Sequence, residues 1–305
     1  MMPRHFLTGL EFLPGDLRGL ITLADQLSVE RTQGVRRNDL IGKSLALVFE
    51  KPSLRTHVSF TIAMQELGGH VIDSFSYNRK KEEPEDVGRV LSGYVHGIML
   101  RTHEHSIIER MASKTRVPVV NGLSDTHHPC QILADILTLK QSFQSLEGLK
   151  LTYVGDGNNI LHSILLLMPL FGIHVTYACP KGYQPNAFVV RQARALAKES
   201  KGSITQSASP LTAVKKANAI YTDVWTSMGF EAEERDREEA FYGFQVNDAL
   251  YAQSAPDAVV MHCLPMVRGK EITDDMAEHK NSVLFKQSEN RLHAQKALLL
   301  MLLGN

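Results

Sequence analysis

Seven short, unbroken apolar runs recur along the chain: SLALVF (44–49), HGIML (96–100), VPVV (117–120), LKLTYV (149–154), IHVTYA (173–178), AIYT (219–222) and AVVMH (258–262). Their length and flanks predict buried strands. Most of the stretches between them carry apolar residues every three to four positions, as in FVVRQARALAKES (188–200) and IIERMASKT (107–115), which predicts helices. Strands alternating with helices define an α/β fold with mainly parallel sheets flanked by helices, and such sheets place their sites at the carboxyl ends of strands. HPCQILADILTLKQSF (128–143), followed by QSLEG, is expected to connect two α/β halves, and a final helix over 288–303 to return to the first. The expected division is 1–140, 141–287 and a C-terminal helix in 288–305. No repeat or low-complexity tract interrupts this order.

Length agrees with two domains, since 305 residues is about twice a typical single domain. The charge excludes a general nucleic-acid or anionic-membrane surface: 33 basic and 33 acidic residues balance and are spread through the chain. Any basic site is therefore local. Three cysteines, Cys130, Cys179 and Cys263, form no CxxC pair or metal-finger spacing, and an odd count suits a reducing compartment, so the cytoplasm is expected. The run MMPRHFLTGLEFLPG is broken by Glu11 and Pro14, and ILLLMPLFGI is too short to span a bilayer, so neither a targeting segment nor a membrane partner is expected.

One local site stands out in FEKPSLRTHVSF (49–60), which gathers Lys51, Arg55 and His57 at a strand-to-helix junction. SLRTHVSFTIAMQELGG has a helical apolar pattern that stops at Gly68-Gly69. Ser53, Leu54, Arg55 and Thr56 then form the helix start, where free N–H groups and the helix dipole attract an anion such as phosphate. On this segment alone an ordinary Ser N-cap among solvated charges explains the residues as well. Polar groups keep following the strands, however. Arg101 follows HGIML, NGLSDTHHPCQ (121–131) follows VPVV, GDGNN (155–159) follows LTYV, TDVWTSMG (222–229) follows AIY, and HCLP (262–265) follows AVVM. Five such strand ends imply one shared cleft. Singly, each has a blander explanation: His128 as a helix-start histidine, Cys263 as a small buried residue, GDGNN as a turn. GDGNN also lacks the dinucleotide spacing, which argues against a nicotinamide cofactor.

Taken in order over nearly the full chain, FEKPSLRT, LRT, NGLSDxHHPxQILAD, YVGDGNNILHS, TDVWTSMG, HCLP and SENRLH resemble the ornithine carbamoyltransferase family, within the aspartate/ornithine carbamoyltransferases. The resemblance implies transfer of a carbamoyl group from carbamoyl phosphate to the δ-amine of L-ornithine, giving citrulline and phosphate for arginine biosynthesis, without metal or organic cofactor. It also implies a carbamoyl phosphate-binding first domain, an ornithine-binding second domain, an active site in the interdomain cleft and a homotrimer. By resemblance, Ser53, Leu54, Arg55, Thr56, Arg101, His128, Gln131, Cys263, Leu264 and Arg291 contact carbamoyl phosphate. Leu123, Asn159, Asp223, Ser227 and Met228 hold ornithine, with Asp223 facing its α-ammonium. Arg55, Arg101, His128 and Cys263 carry the catalytic expectation, because negative charge develops first on the carbonyl oxygen and then on departing phosphate. Cys263 is expected to orient the amine and not to attack.

Two segments depart from the family pattern. The phosphate motif usually continues to an Arg with a Glu four residues on, places held here by His57 and Thr61; joint replacement implies exchange of a structural ion pair. SYNRKKEEPEDVG (76–88) is a shortened form of a loop that reaches a neighbouring subunit in the family, with a helix expected from Pro84. Lys80 and Lys81 precede that helix and are candidate cross-subunit cations, against the plainer reading of a solvated charge run. Two other functions stay open: carbamoylation of an acylated ornithine or a diamine, and a weakly catalytic paralogue that senses ornithine or carbamoyl phosphate.

Overall fold

The computed structural model describes residues 4–75, 82–226 and 231–304. In chain order its elements are α1 (Pro14–Thr32), β1 (Ser44–Phe49), α2 (Leu54–Glu66), β2 (His70–Phe75), α3 (Pro84–Leu91), β3 (Gly97–Arg101), α4 (His105–Ala112), β4 (Val119–Leu123), α5 (Pro129–Ser142), β5 (Lys150–Val154), α6 (Asn159–Leu167), β6 (His174–Ala178), α7 (Ala187–Glu199), β7 (Ser203–Ser207), α8 (Pro210–Ala213), β8 (Ala219–Thr222), α9 (Glu234–Ala240), α10 (Asp248–Tyr251), β9 (Val259–His262), α11 (Asp274–Ala277) and α12 (Leu284–Leu303). They divide into two compact units, the first made of 1–137 with 289–305 and the second of 138–288. Each unit is built on one parallel sheet. Among the described residues no helix is long and apolar enough to cross a membrane.

The first sheet has the order β2-β1-β3-β4, and the second β7-β6-β5-β8-β9. In the first, the chain steps from β1 outward to β2 and then returns to the other side of β1 for β3. In the second, β5, β6 and β7 run one way and β8 and β9 lie on the far side of β5. The β1/β3 and β5/β8 boundaries are therefore topological switch points, where crossover helices diverge and leave a crevice at the strands' carboxyl ends. All seven expected strands are present; β2 and β7 were not expected. Both are edge strands with a single neighbour. No residue of β7 is fully buried, and His70, Ile72 and Asp73 of β2 are exposed. Edge strands need no continuous apolar run, so the hydrophobic pattern does not reveal them.

The cores explain why the central runs are apolar. In the first unit Ala46, Val48, Ile98, Leu100 and Val119 of the sheet pack with Ile108 and Met111 of α4. In the second, Val154, Ile220 and Val260 pack with Val246, Leu250, Ile272 and Met276. Helix α2 leaves β1 through Ser53, whose backbone is extended at φ −148. It ends in a left-handed glycine, Gly68 at φ +81, and the Gly69 N–H closes on Met64 O at 2.8 Å. Pro84 opens α3, with Glu85 and Asp86 in its first turn, as the sequence led us to expect.

Gly157 in the turn after β5 has no room for a side chain. Its N–H donates to Tyr183 O at 2.9 Å, and a Cβ there would stand 2.2 Å from Pro185 N and 2.3 Å from the carbonyl carbon of Gln184. Both neighbours are backbone, so nothing can rotate away. Gly157→Ala should destabilise the chain by about 1–3 kcal/mol, the usual penalty for overpacking. Equilibrium urea unfolding checks this, and an unchanged midpoint would show that the turn can yield.

Candidate active site

At the β1/β3 switch point the first unit gathers cations around one buried hydroxyl. Thr56, in the first turn of α2, is fully buried, and its Oγ1 accepts from Arg291 Nη2 at 2.9 Å, from Ser53 Oγ at 3.1 Å and from Arg101 Nη1 at 3.4 Å. Arg101 is the last residue of β3, and a register shift there pairs Leu100 with Asn121 but Arg101 with Leu123. Such a bulge re-aims the side chain at a strand end. Arg291 comes from α12, and its Nη1 donates to Gln131 Oε1 at 3.1 Å. Gln131 in turn donates to Asp135 Oδ1 at 2.8 Å, which fixes its amide so that the oxygen faces the guanidinium. Ser53 occupies the N-cap position but makes no side-chain capping bond, and the first turn of α2 carries no acid. Its free N–H groups and dipole thus remain available to an anion. The Leu54 side chain is exposed, so that residue can serve the anion only through its backbone.

His128 lies buried among these cations. Burial, and then Arg291, Arg101 and Arg55, hold its imidazole well below the usual histidine range. It is therefore neutral at neutral pH, a hydrogen-bonding group that adds no charge to an already cationic site. Glu50 braces the same crevice: its Oε2 accepts from Thr102 Oγ1 at 2.6 Å and His103 N–H at 2.7 Å, joining the loops after β1 and β3. Burial pushes that carboxyl up, but the two donors hold it below the ordinary glutamate range. Cys130 is a packing residue; its thiol donates to Asn121 O at 3.3 Å, and burial pushes it up to about 12. His57 bonds through Nε2 to Asp73 Oδ1 of β2 at 2.8 Å, while Thr61 Oγ1 is buried without a hydrogen-bond partner. The expected Arg–Glu exchange thus gives a helix-to-strand contact in place of one along the helix.

The second unit forms its own cluster at the β5/β8 switch point. Asp223, directly after β8, is buried; its Oδ1 accepts from the Cys263 thiol at 3.0 Å and the Val224 N–H at 2.8 Å, and its Oδ2 from Asn158 Nδ2 at 2.7 Å. Asn158 also caps α6, its Oδ1 accepting from the Ile160 and Leu161 N–H groups at 3.1 and 3.2 Å. Asn159, expected to hold ornithine, is the first residue of α6, directly after this cap. Cys263 and Leu264 follow β9, with Leu264 in the left-handed region at φ +58. Asp223, His262 and Cys263 offer three metal-capable atoms within 4.8 Å. Both imidazole nitrogens are engaged, Nδ1 by the Leu264 N–H at 2.9 Å and Nε2 by Glu271 at 3.1 Å, while Cys263 bonds to Asp223. Leu123 ends β4, half-buried. Ser227, Met228, Lys80 and Lys81 lie outside the described residues.

The segment leading from Asp223 is held by a feature that the sequence did not reveal. Arg237 of α9 donates through Nη1 to Asp156 Oδ2 at 2.8 Å and to Trp225 O at 2.9 Å. Its guanidinium sits 4.8 Å from the Tyr183 ring centre, and Trp225 stacks on Phe241 at 5.7 Å. The GDG turn after β5 and the strand end after β8 are thereby tied together through one arginine.

A cationic cradle for an anion and a carboxylate–thiol cluster, each at a switch point of a parallel sheet, are the parts of an α/β group transferase. The model of the carbamoyl-P binding domain of aspartate/ornithine carbamoyltransferase matches residues 4–141, and that of the Asp/Orn binding domain matches 147–302. The ornithine carbamoyltransferase of Archaeoglobus fulgidus is 46% identical over 305 residues, covering 99% of this chain and 98% of its own. That of Anoxybacillus flavithermus is 45% identical over 303 residues, covering 98% and 96%. The solved structure of the Pyrococcus furiosus ornithine carbamoyltransferase superposes with a TM-score of 0.96 at 43% identity, covering 99% of this chain and 97% of that one. The chain belongs to the aspartate/ornithine carbamoyltransferase family.

Asp156 gives this site a pH signature. Burial pushes its carboxyl up and Arg237 pulls it back, leaving it at about 6. A raised acid binds its proton more tightly in the folded than in the unfolded chain. Its contribution to stability is therefore complete below about pH 4 and is lost as pH rises through about 6. Relative to Asp156→Asn, the wild type should lose on the order of 1–3 kcal/mol between those limits and run parallel above pH ~7. Denaturant midpoints of the two chains across this range are the measurement; a constant difference would show that Arg237 outweighs burial.

Proposed function

We propose that the chain transfers the carbamoyl group of carbamoyl phosphate to the δ-amine of L-ornithine, giving L-citrulline and phosphate. The observation that carries this reading is the neutral His128 set among Arg55, Arg101 and Arg291 at the start of α2. A dianionic donor satisfies that excess of positive charge, with its phosphate on the α2 N–H groups and its carbonyl near Arg101 and His128. The neutral δ-amine forms the new C–N bond at the carbamoyl carbon, the C–O bond to phosphate then breaks with its electron pair on the leaving oxygen, and the proton shed by the amine nitrogen passes to that phosphate. Fixed guanidinium groups stabilise charge on the carbonyl oxygen and then on the departing phosphate. The donor already carries its leaving group, so no cofactor is required. On this reading the first unit takes carbamoyl phosphate and the second takes ornithine through Asp223, Cys263 and Leu264, with Ser227 and Met228 from the same stretch of chain. Cys263, whose thiol donates to Asp223, orients the amine.

Three finer statements accompany this reading. The cytoplasm is supported by three cysteines that are all buried and in no disulfide. Citrulline formed there would serve arginine biosynthesis. A homotrimer is supported by the outward face of α2, where Leu54 and Val58 are 78% and 47% exposed with Ile62 a turn further on. An apolar stripe of this kind on a first-unit helix suits burial against a second copy.

Purified protein should form citrulline from carbamoyl phosphate and ornithine, and should use ornithine in preference to acetylornithine and putrescine. Arg55→Ala should leave the fold intact by circular dichroism and lower kcat at least ~100-fold, the scale of losing one charge-stabilising donor. Absence of citrulline from the wild type, or near-normal turnover by folded Arg55→Ala, would remove this assignment.

Lys80 and Lys81 are proposed to act across the trimer interface as phosphate-side cations. Mixing Arg55→Ala chains with Lys80→Ala/Lys81→Ala chains should then restore part of the lost activity, since a hybrid can assemble one site from intact parts of both. Subunit exchange is followed with tagged chains. A fully active double lysine variant, or exchanged hybrids that stay inactive, would return this loop to solvent.

A further inference from the structure

The HCLP segment contains a histidine that the chemistry above does not use. His262, the last residue of β9, is completely buried, and its backbone N–H is held by Gln287 Oε1 at 2.9 Å. Its ring nitrogens serve opposite purposes. Nδ1 accepts the N–H of Leu264, two residues on, at 2.9 Å. Nε2 faces Glu271 Oε1 at 3.1 Å, and that oxygen also accepts the Val267 N–H at 2.5 Å. A nitrogen that accepts a backbone N–H cannot carry a hydrogen in the same direction. The ring therefore bears its proton on Nε2, toward Glu271. Glu271 is itself fully buried, and its Oε2 has no hydrogen-bond partner.

This arrangement holds a conformation that the chain would not otherwise choose. Leu264 has φ +58, in a region that a branched side chain enters only at a cost. The preceding residue, Cys263, is fixed on the other side by its thiol bond to Asp223 at 3.0 Å. The Cys263–Leu264 backbone is thus turned between two anchors, one at Asp223 and one at the imidazole. Leaving a buried carboxylate oxygen unpaired is expensive, and strain with unpaired polarity collects where a geometry is held for function.

We infer that His262 and Glu271 are positioning residues for the acceptor: Glu271 fixes the tautomer and orientation of His262, and His262 holds the Leu264 backbone so that its carbonyl and the Cys263 thiol face the attacking amine. This rests on the reading of Cys263 and Leu264 as the pair beside the δ-amine of ornithine. His262 neither touches substrate nor exchanges a proton with it. Its effect passes through one backbone N–H.

The test compares His262→Asn with His262→Leu. Asparagine can present its Oδ1 where Nδ1 stood and keep the Leu264 bond; leucine cannot. His262→Leu should lower kcat/KM for ornithine at least 100-fold while the affinity for carbamoyl phosphate, read by direct titration, stays within twofold. His262→Asn should recover the loss to within about tenfold of wild type. General destabilisation would lower the melting temperature without separating donor from acceptor or asparagine from leucine. If His262→Leu does not fold, the tautomer of the wild-type ring still decides. Its imidazole nitrogen resonances, assigned by their absence from His262→Asn, should show Nε2 protonated and Nδ1 bare. A folded leucine variant with near-normal ornithine kinetics, an asparagine variant no better than leucine, or a ring protonated at Nδ1 would each overturn the inference. Wild-type protein that forms no citrulline would instead overturn the proposed function, so the two failures are distinct.

Discussion

Positive charge gathered on one buried hydroxyl is the constraint around which the first unit is organised. Arg101 and Arg291 both donate to Thr56 Oγ1, and Arg55 lies close enough to act on the same histidine. Like charges so placed repel, and each loses water as it is buried. Gln131 links Arg291 to the Asp135 carboxyl. The rest of the cluster limits the cost: a neutral His128, a helix start whose dipole is unanswered, and a Glu50 carboxyl turned onto Thr102 and His103. An anion completes such a set.

The second unit solves the opposite problem with the same topology. Its switch point presents a carboxylate, and the carboxylate is held by donors from Cys263, Val224 and Asn158. A group held by three bonds is pre-oriented and loses little entropy when an amine-bearing substrate arrives. Both clusters lie where the order of strands reverses. The two sheets use one rule of parallel architecture to gather charge of opposite sign.

Most of this was legible in the sequence because central strands and strand-end motifs speak through short, local patterns. SLALVF and AIYT mark β1 and β8 with no error in their limits, and Arg101, Asp223 and Cys263 were found from their places after strands. What escaped was set by tertiary partners. The edge strands β2 and β7 are half-polar because much of their length faces water. The bond from Asn158 to Asp223 joins residues 65 positions apart, and the Asp156–Arg237 pair residues 81 apart. His262 looked like an ordinary member of HCLP until its ring was seen between Leu264 and Glu271. Nothing local distinguishes a buried histidine that holds a backbone from one that merely fills space.

The bond from Arg291 to Thr56 spans 235 residues. On a translating ribosome, Thr56 emerges long before its partner exists. At roughly 5–20 residues per second the interval is about ten to fifty seconds. Throughout that time the nascent first unit can form its sheet and its α2 helix, but the anion cradle is one arginine short. The cation cluster of the first unit is thus closed only by the last helix to be made, and its completion waits on the order of synthesis itself.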